Sequence, residues 1–316
     1  MKSIIVGFGR IANSIRHDQK MAKYFPMASH AQVLDKHPAF DWIGVVDQLP
    51  AARKAAWDEW QMEATNSPHT FSDAEFAVLA IPPAARLGVI EALPDLKAVL
   101  LEKPAGDEAL LAHCDKRHIA VHVNFWRRGD DLYRELASWR LPAMIGAVQA
   151  VFCTYGNGLY NNGSHLVDFI RMLLGEVTNV KRTTEPVRLG VLGCSYPNVK
   201  DDWHVGFNLT MASGVPVSVL PLDYRHYREF GVDIWGTAAR LALYQESLGV
   251  FYYNRGEHRA MRDQREIENH RPVVIPSTQQ TALYNFYSNI AAGDTPWSSG
   301  DSALITNRVL DAIIDS

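Results

Sequence analysis

Cysteine is scarce in this 316-residue chain. Cys114, Cys153 and Cys194 are the only three, odd in number, far apart and without a C-x-x-C pair. Neither a disulfide framework nor a structural zinc site is expected, no bound metal is expected at all, and a reducing compartment, the cytoplasm, fits best. No stretch reaches the roughly 18 consecutive apolar residues of a membrane span. The opening MKSIIVGFG goes from one lysine into an apolar run too brief for the core of a secretory signal, so secretion is not expected. Charge of one sign is not concentrated either: 31 basic and 35 acidic residues are mixed along the chain for a net charge of −4. That leaves no electrostatic footprint for nucleic acid or an anionic membrane, and the expected partner is a small molecule. There is no internal repeat and no low-complexity tract.

What is present is the composition of a soluble globular protein, 47% hydrophobic and 21% charged, at a length that suggests two domains. Short apolar runs alternate with helical patterns in SIIVGFG, SHAQVLDKH, IGVVD, AARKAAWDEWQ, FAVLAIPP, ARLGVIEAL, AVLLEKP, ALLAHCDKR and AVHVNF. This predicts β-α-β-α order and a parallel sheet with crossover helices. From about residue 145 longer alternating runs take over: AVQAVFCTY, VGFNLTMA, VPVSVLPLDY, FGVDIWG and ARLALYQ. They predict a large, mainly antiparallel sheet with one open face. SHLVDFIRMLLG predicts a helix ending before Gly175, and DSALITNRVLDAIID a last helix opened by Asp301. The polar stretch 254–272 reads as a solvated excursion at an edge. The expected division is a doubly wound α/β (Rossmann) domain over residues 1–122 and an α+β domain over 123–316.

Gly7, Gly9 and Ala12 form G-x-G-x-x-A directly after the first strand, the setting in which the backbone of Gly7, Phe8, Gly9, Arg10, Ile11 and Ala12 can hold a pyrophosphate. Asp47 closes the second strand, where a carboxylate accepts from an adenosine ribose and repels a 2′-phosphate. This favours NAD, while Arg53 and Lys54 leave room for NADP. The distance from Gly7 to Asp47 exceeds what a minimal unit needs, so residues 17–28 read as an insertion near the phosphates.

VLLEKPAG ends an apolar strand on Glu102, Lys103 and Pro104. In a doubly wound sheet the carboxyl ends of the strands face the ligand crevice, which aims Lys103 at a nicotinamide. A neighbouring cation and partial burial both disfavour the charged amine and bring it toward proton exchange with a substrate hydroxyl. Pro104 keeps the residue before it out of the helical region.

G-x-G-x-x-A, Asp47, Glu102-Lys103-Pro104, Asn124 after a strand and G-S-H-x-x-D at 163–168 resemble, in order and spacing, the glucose-fructose oxidoreductase and inositol dehydrogenase superfamily (Gfo/Idh/MocA) over nearly the whole chain. The resemblance implies nicotinamide-dependent hydride transfer at a secondary alcohol of a sugar, cyclitol or nucleotide-linked sugar, with Lys103 beside the reacting carbon. His165 matches the family's helix histidine. Asn161, four residues earlier, stands where the dehydrogenases carry aspartate, and an amide orients a hydroxyl without taking its proton. We read His165 as the acid/base group and Lys103 as the polariser of the hydroxyl, with the reverse assignment left open. Asp168 reads as structural. Asn124 resembles the asparagine near nicotinamide and substrate. Ile81, Pro82 and Pro83 resemble the turn bordering the cofactor, with Arg86 where many members have histidine.

Arg127 and Arg128 suit an anionic substrate group or a surface carboxylate, and Tyr155, Tyr160, Tyr224 and Arg225 suit pocket lining or packing. The same site would also serve an enzyme that oxidises transiently to eliminate or hydrolyse a substituent, or a dinucleotide sensor without chemistry. An open sheet with apolar residues on both faces leads us to expect a homodimer or homotetramer through that sheet.

Overall fold

The computed structural model describes residues 1–191, 201–268 and 271–316. They form two compact units. The first holds residues 1–130 and 279–307, and the second holds residues 131–191, 201–268, 271–278 and 308–316.

The first unit is built on six parallel strands: β1 (Lys2–Val6), β2 (Asp41–Val46), β3 (Ala64–Thr65), β4 (Phe76–Leu79), β5 (Ala98–Leu101) and β6 (Ala120–Val123). Their order is β3-β2-β1-β4-β5-β6, so the winding reverses between β1 and β4. Alternate residues of each strand enter different cores. Ile4, Val6, Ala77, Leu79, Val99 and Leu101 pack on one face with Ile90, Leu110 and Cys114 of the helices Pro83–Glu91 and Glu108–Lys116. Ile5, Val45, Phe76, Val78 and Leu100 pack on the other with Leu34, Ala56 and Phe286. Burial on both faces is why these strands read as unbroken apolar runs.

The chain crosses between the units more often than a single boundary at 122/123 allows. After β6 it stays in the first unit to Asp130, and it returns for residues 279–307. The reason is packing: the helix Ala282–Ala292 brings Leu283, Phe286, Tyr287 and Ile290 into the second face of the sheet, with the Tyr287 ring edge-on to Phe40 and Phe76. Ser298 then accepts the Val123 N–H at 2.9 Å.

The helix that follows β1 is interrupted. The Asn13 N–H bonds the Gly9 carbonyl, but the carbonyls of Ile11 and Ala12 accept from the N–H groups of His30 and Ala31. Residues 14–28 are thus an excursion spliced into one helix, whose remainder runs His30–Lys36 behind a capping box of Ser29 and Gln32. Arg16 anchors the excursion through Glu59 (2.6 Å) and the Trp60 ring, and Phe25 packs edge-on against Trp126.

The second unit carries nine strands in one sheet: β7 (Val148–Tyr155), β8 (Val177–Arg182), β11 (Phe207–Met211), β12 (Pro216–Pro221), β13 (Gly231–Gly236), β14 (Ala239–Tyr244), β15 (Gly249–Glu257), β16 (Arg265–Ile267) and β17 (Val273–Ile275). The order is β16-β15-β14-β13-β7-β12-β11-β8, with β17 beside β15. A separate ribbon pairs β9 (Val187–Gly190) with β10 (Asp201–His204). The large sheet is antiparallel except for β7 and β12, whose long connection permits a parallel pair. Val151, Cys153, Val219, Val232, Ile234 and Leu241 pack inward on Leu166, Phe169 and Ile170 of the helix Ser164–Leu174. The opposite face leaves Phe152, Leu220 and Trp235 exposed. The polar stretch after β15 forms the β15–β16 edge pair. Asn269, His270 and Cys194 lie outside the described residues.

Among the described residues no helix is long and apolar enough to cross a membrane, and no cluster of three or more His, Cys, Asp or Glu could hold a metal.

Candidate functional site

In the first unit the expected cofactor residues stand at the carboxyl edge of one sheet. Gly7, at the end of β1, has φ +87°, and a Cβ there would lie 2.5 Å from the Ala80 carbonyl oxygen, so only glycine fits. Nothing lies within 4 Å of where a Gly9 Cβ would be. The turn is closed toward the sheet and open on its other side, the shape of a cradle into which a phosphate fits. Phe8 N–H donates to Asp47 Oδ2 at 2.6 Å, and Leu49 N–H to Asp47 Oδ1 at 2.8 Å. Each oxygen keeps a further lone pair, and the half-buried carboxylate suits ribose hydroxyls. Arg53 donates to the carbonyls of Asp47 and Gln48. Arg10, Ile11 and Ala12 complete the turn, which Asn13 closes onto Gly9. Ile81 follows β4 and approaches Gly7, and Pro83 opens the next helix. Both turns flank the reversal between β1 and β4, where open α/β sheets take their ligands.

Glu102 and Lys103 follow β5, and both are buried. The Lys103–Pro104 peptide is cis. Arg86, 1% exposed, donates to the carbonyls of Glu102 (2.6 Å), Pro104 and Ile81 (3.1 Å), tying the turns after β4 and β5 together. That is a structural use. Asn124, after β6, donates to Glu102 Oε1 at 2.6 Å, and its own Oδ1 is buried without a partner. His30 Nε2 meets the same Glu102 oxygen at 2.9 Å, and His30 Nδ1 meets the Tyr287 hydroxyl at 2.7 Å. Burial opposes the Glu102 charge, but His30, Asn124 and the Lys103 charge outweigh it and hold the carboxyl below its usual range. Arg127 is buried with its guanidinium over the Trp126 ring, and Arg128 reaches Trp297 O and Ser302 Oγ.

In the second unit Asn161 lies in a π-turn (Leu159–Gly163) that leads into the helix carrying His165. Asn161 N–H donates to Asp202 Oδ2 at 2.8 Å, and its Nδ2 to Asn157 O at 3.1 Å. Gly158 (φ +92°) passes so close to Asp202 that a Cβ would lie 2.3 Å from Oδ2. His165 is partly exposed, and Asp168 is buried. The two tyrosines expected near a substrate are occupied otherwise. Tyr155 is fully buried, donating to Val205 O (2.9 Å) and accepting from Val205 N–H (3.1 Å), and burial pushes its phenol up. Tyr160 donates to Asp311 Oδ1 at 2.8 Å. Both hold the π-turn in place rather than face a ligand. Arg225 pairs with Asp223 at the surface.

His30, Tyr287 and Asp202 escaped the sequence reading. The Ser29–Gln32 box signals a helix start at His30, but nothing local links that residue to Glu102, and Asp202 has no local signal.

No family model matches the sequence, and no curated protein does so either. Solved structures do match. An oxidoreductase from Agrobacterium radiobacter, in complex with NAD+, L-tartaric acid and magnesium, superposes with a TM-score of 0.72 at 14% identity, covering 100% of this chain and 96% of that one. This chain shares its fold. A UDP-N-acetylglucosamine 3-dehydrogenase from Acidithiobacillus ferrooxidans gives 0.67 at 16% identity, over 100% and 98% of the two chains. An aldose-aldose oxidoreductase from Caulobacter crescentus, complexed with glycerol, gives 0.73 at 16%, over 100% and 96%. The expected architecture, a parallel α/β sheet plus a large mainly antiparallel one, is that of these solved structures.

Proposed function

We propose that this chain is an NAD(P)-dependent oxidoreductase acting on a CH–OH group of a sugar-like small molecule. The observation that carries the reading is the carboxyl edge of the first sheet. There an open glycine turn, the Asp47 carboxylate, the buried Glu102–Lys103 turn and the unpartnered Asn124 oxygen follow the ends of β1, β2, β5 and β6. Gly7–Ala12 would hold the pyrophosphate, Asp47 the ribose, and Ile81–Pro83 and Asn124 the nicotinamide half. The bound dinucleotide supplies the hydride acceptor or donor.

In this reading the roles are those the resemblance implies. The Lys103 amine polarises the substrate oxygen, His165 exchanges its proton, and Asn161 orients a hydroxyl. Arg53 supports use of NADP alongside NAD. Two buried free thiols, Cys114 and Cys153, support a reducing cytoplasm. The exposed Phe152, Leu220 and Trp235 on one sheet face support assembly of two or four copies through it.

The test follows reduced-cofactor absorbance while sugars, cyclitols and nucleotide-linked sugars are supplied. Sustained accumulation with a loss of about 10²- to 10⁴-fold in Lys103→Ala supports the reading. Product without accumulation points to transient oxidation, and tight NAD binding without turnover of any substrate points to a sensor. Full activity in Lys103→Ala overturns the assignment.

A further inference from the structure

Glu102 sits immediately before Lys103, and its side chain is fixed from two sides by groups far away in sequence. Asn124 donates to Oε1 from the end of β6, and His30 reaches the same oxygen from the helix that follows the excursion. In the neutral tautomer that carries its proton on Nε2, the ring donates to the carboxylate and Nδ1 accepts the Tyr287 O–H. The array therefore runs one way, from Tyr287 through His30 to Glu102. Tyr287 is 0% exposed, and its phenol is pushed well above its usual range by burial and by the Glu102 charge, so no proton leaves at that end. An array of this kind conducts no proton to solvent and orients the group at its other end. The backbone of the same turn is held separately by Arg86, which accounts for the carbonyls and leaves the carboxylate to His30 and Asn124.

We propose that His30, backed by Tyr287, is a positioning residue: it fixes the Glu102 carboxylate and through it the placement of the adjacent Lys103 amine. The inference rests on the reading of Lys103 as the group beside the reacting carbon. The groups around Glu102 that bear on its charge are His30, Asn124 and Lys103, and burial alone opposes it.

The experiment uses two conservative variants of the full chain that divide the imidazole. His30→Gln keeps a donor where Nε2 stands, and His30→Asn keeps an acceptor where Nδ1 stands but leaves Glu102 without its donor. In His30→Asn we expect kcat to fall about 10²-fold, the scale of an ångström-sized misplacement, with KM for NAD changed less than about threefold. His30→Gln should restore kcat to within about threefold of wild type, and Tyr287→Phe should lose about three- to tenfold. In a Glu102→Gln background the difference between the two His30 variants should vanish. Equal losses in the two variants, or a difference that persists without Glu102, overturn the inference while the oxidoreductase reading stands.

If the wild type neither binds NAD nor turns over a substrate, that reading fails and thermal unfolding decides this one. Without the His30 donor, burial raises the Glu102 carboxyl, whose charged form then destabilises the fold at neutral pH and is relieved as pH falls. The Tm gap between His30→Asn and His30→Gln should narrow from pH 7 to pH 5 and be absent in the Glu102→Gln background. A gap that does not respond to pH or to Glu102 overturns the inference. A His30→Asn chain that fails to fold while His30→Asn/Glu102→Gln folds supports it, and failure of both overturns it.

Discussion

Gly7 in the first unit and Gly158 in the second have positive φ angles of 87° and 92°. Beside each, an aspartate accepts a backbone N–H of the turn: Asp47 from Phe8 at 2.6 Å and Asp202 from Asn161 at 2.8 Å. The local devices are alike, but their surroundings differ. Each aspartate takes a second N–H, Asp47 from Leu49 and Asp202 from Trp203, but the Gly7 turn faces open space at Gly9 and Asp47 is half-buried, whereas Asp202 is 7% exposed. The obstacles differ as well. A side chain at Gly7 meets the backbone of Ala80, which cannot step aside, and one at Gly158 meets the Asp202 side chain. The same bond is therefore a rigid platform for a ligand in one unit and an internal tie in the other.

The largest effect that separates the two turns is expected from glycine itself. Gly7→Ala should cost about 3–5 kcal/mol, combining backbone strain with a collision against fixed backbone, and should abolish dinucleotide binding. Gly158→Ala should cost about 1–3 kcal/mol and leave NAD affinity unchanged, as read from denaturant midpoints and titration calorimetry. If NAD binds Gly7→Ala as it binds wild type, the open-turn assignment is wrong.

Acid comes next. Burial pushes His122 in the first unit down to about 4 and lowers His204 in the second. A histidine depressed in the folded state binds its proton more readily in the unfolded chain, so stability is lost as pH falls from about 6.5 toward 4. For His122 the loss is roughly 3 kcal/mol over that window, and His122→Asn should flatten the slope of denaturant stability against pH. An unchanged slope would show that His122 is protonated in the native state.

The aspartates provide the smaller effects. Asp202→Ala strands the buried Asn161 N–H and should cost about 1–3 kcal/mol without touching cofactor affinity. Asp47→Ala, at a half-exposed site, should cost no more than about 1 kcal/mol of stability while weakening NAD binding about tenfold, with NADP weakened less. Equal losses for the two nucleotides would place the ribose elsewhere.

The fold was legible wherever burial left a local trace. Ile4 to Val6, Phe76 to Leu79 and Val99 to Leu101 are apolar throughout because each strand feeds two cores, and the interruption after Ala12 showed as surplus length before Asp47. What stayed hidden depends on contacts between distant residues. Tyr287 lies 257 positions from His30, and the helix that carries it has no side-chain cap to announce its start. The tyrosines failed for a related reason: Tyr155 and Tyr160 resemble pocket residues by type and position, and only the acceptors at Val205 and Asp311 reveal their use. Lys103 was legible because an acid, a base and a proline in succession rarely close a buried strand, yet the imidazole behind Glu102 was not.

The interrupted helix has a consequence for how this chain could be shortened. With residues 14–28 removed, Ile11, Ala12, Asn13, Ser29, His30 and Ala31 would follow one another. The bonds that now bridge the gap, His30 to Ile11 and Ala31 to Ala12, would become ordinary fourth-neighbour bonds of an unbroken helix. The segment can therefore be lost or gained in one piece without shifting any residue downstream. A cassette that enters in phase with the helical repeat leaves the host geometry intact, and such a site is where a sequence can acquire new surface without re-solving its fold.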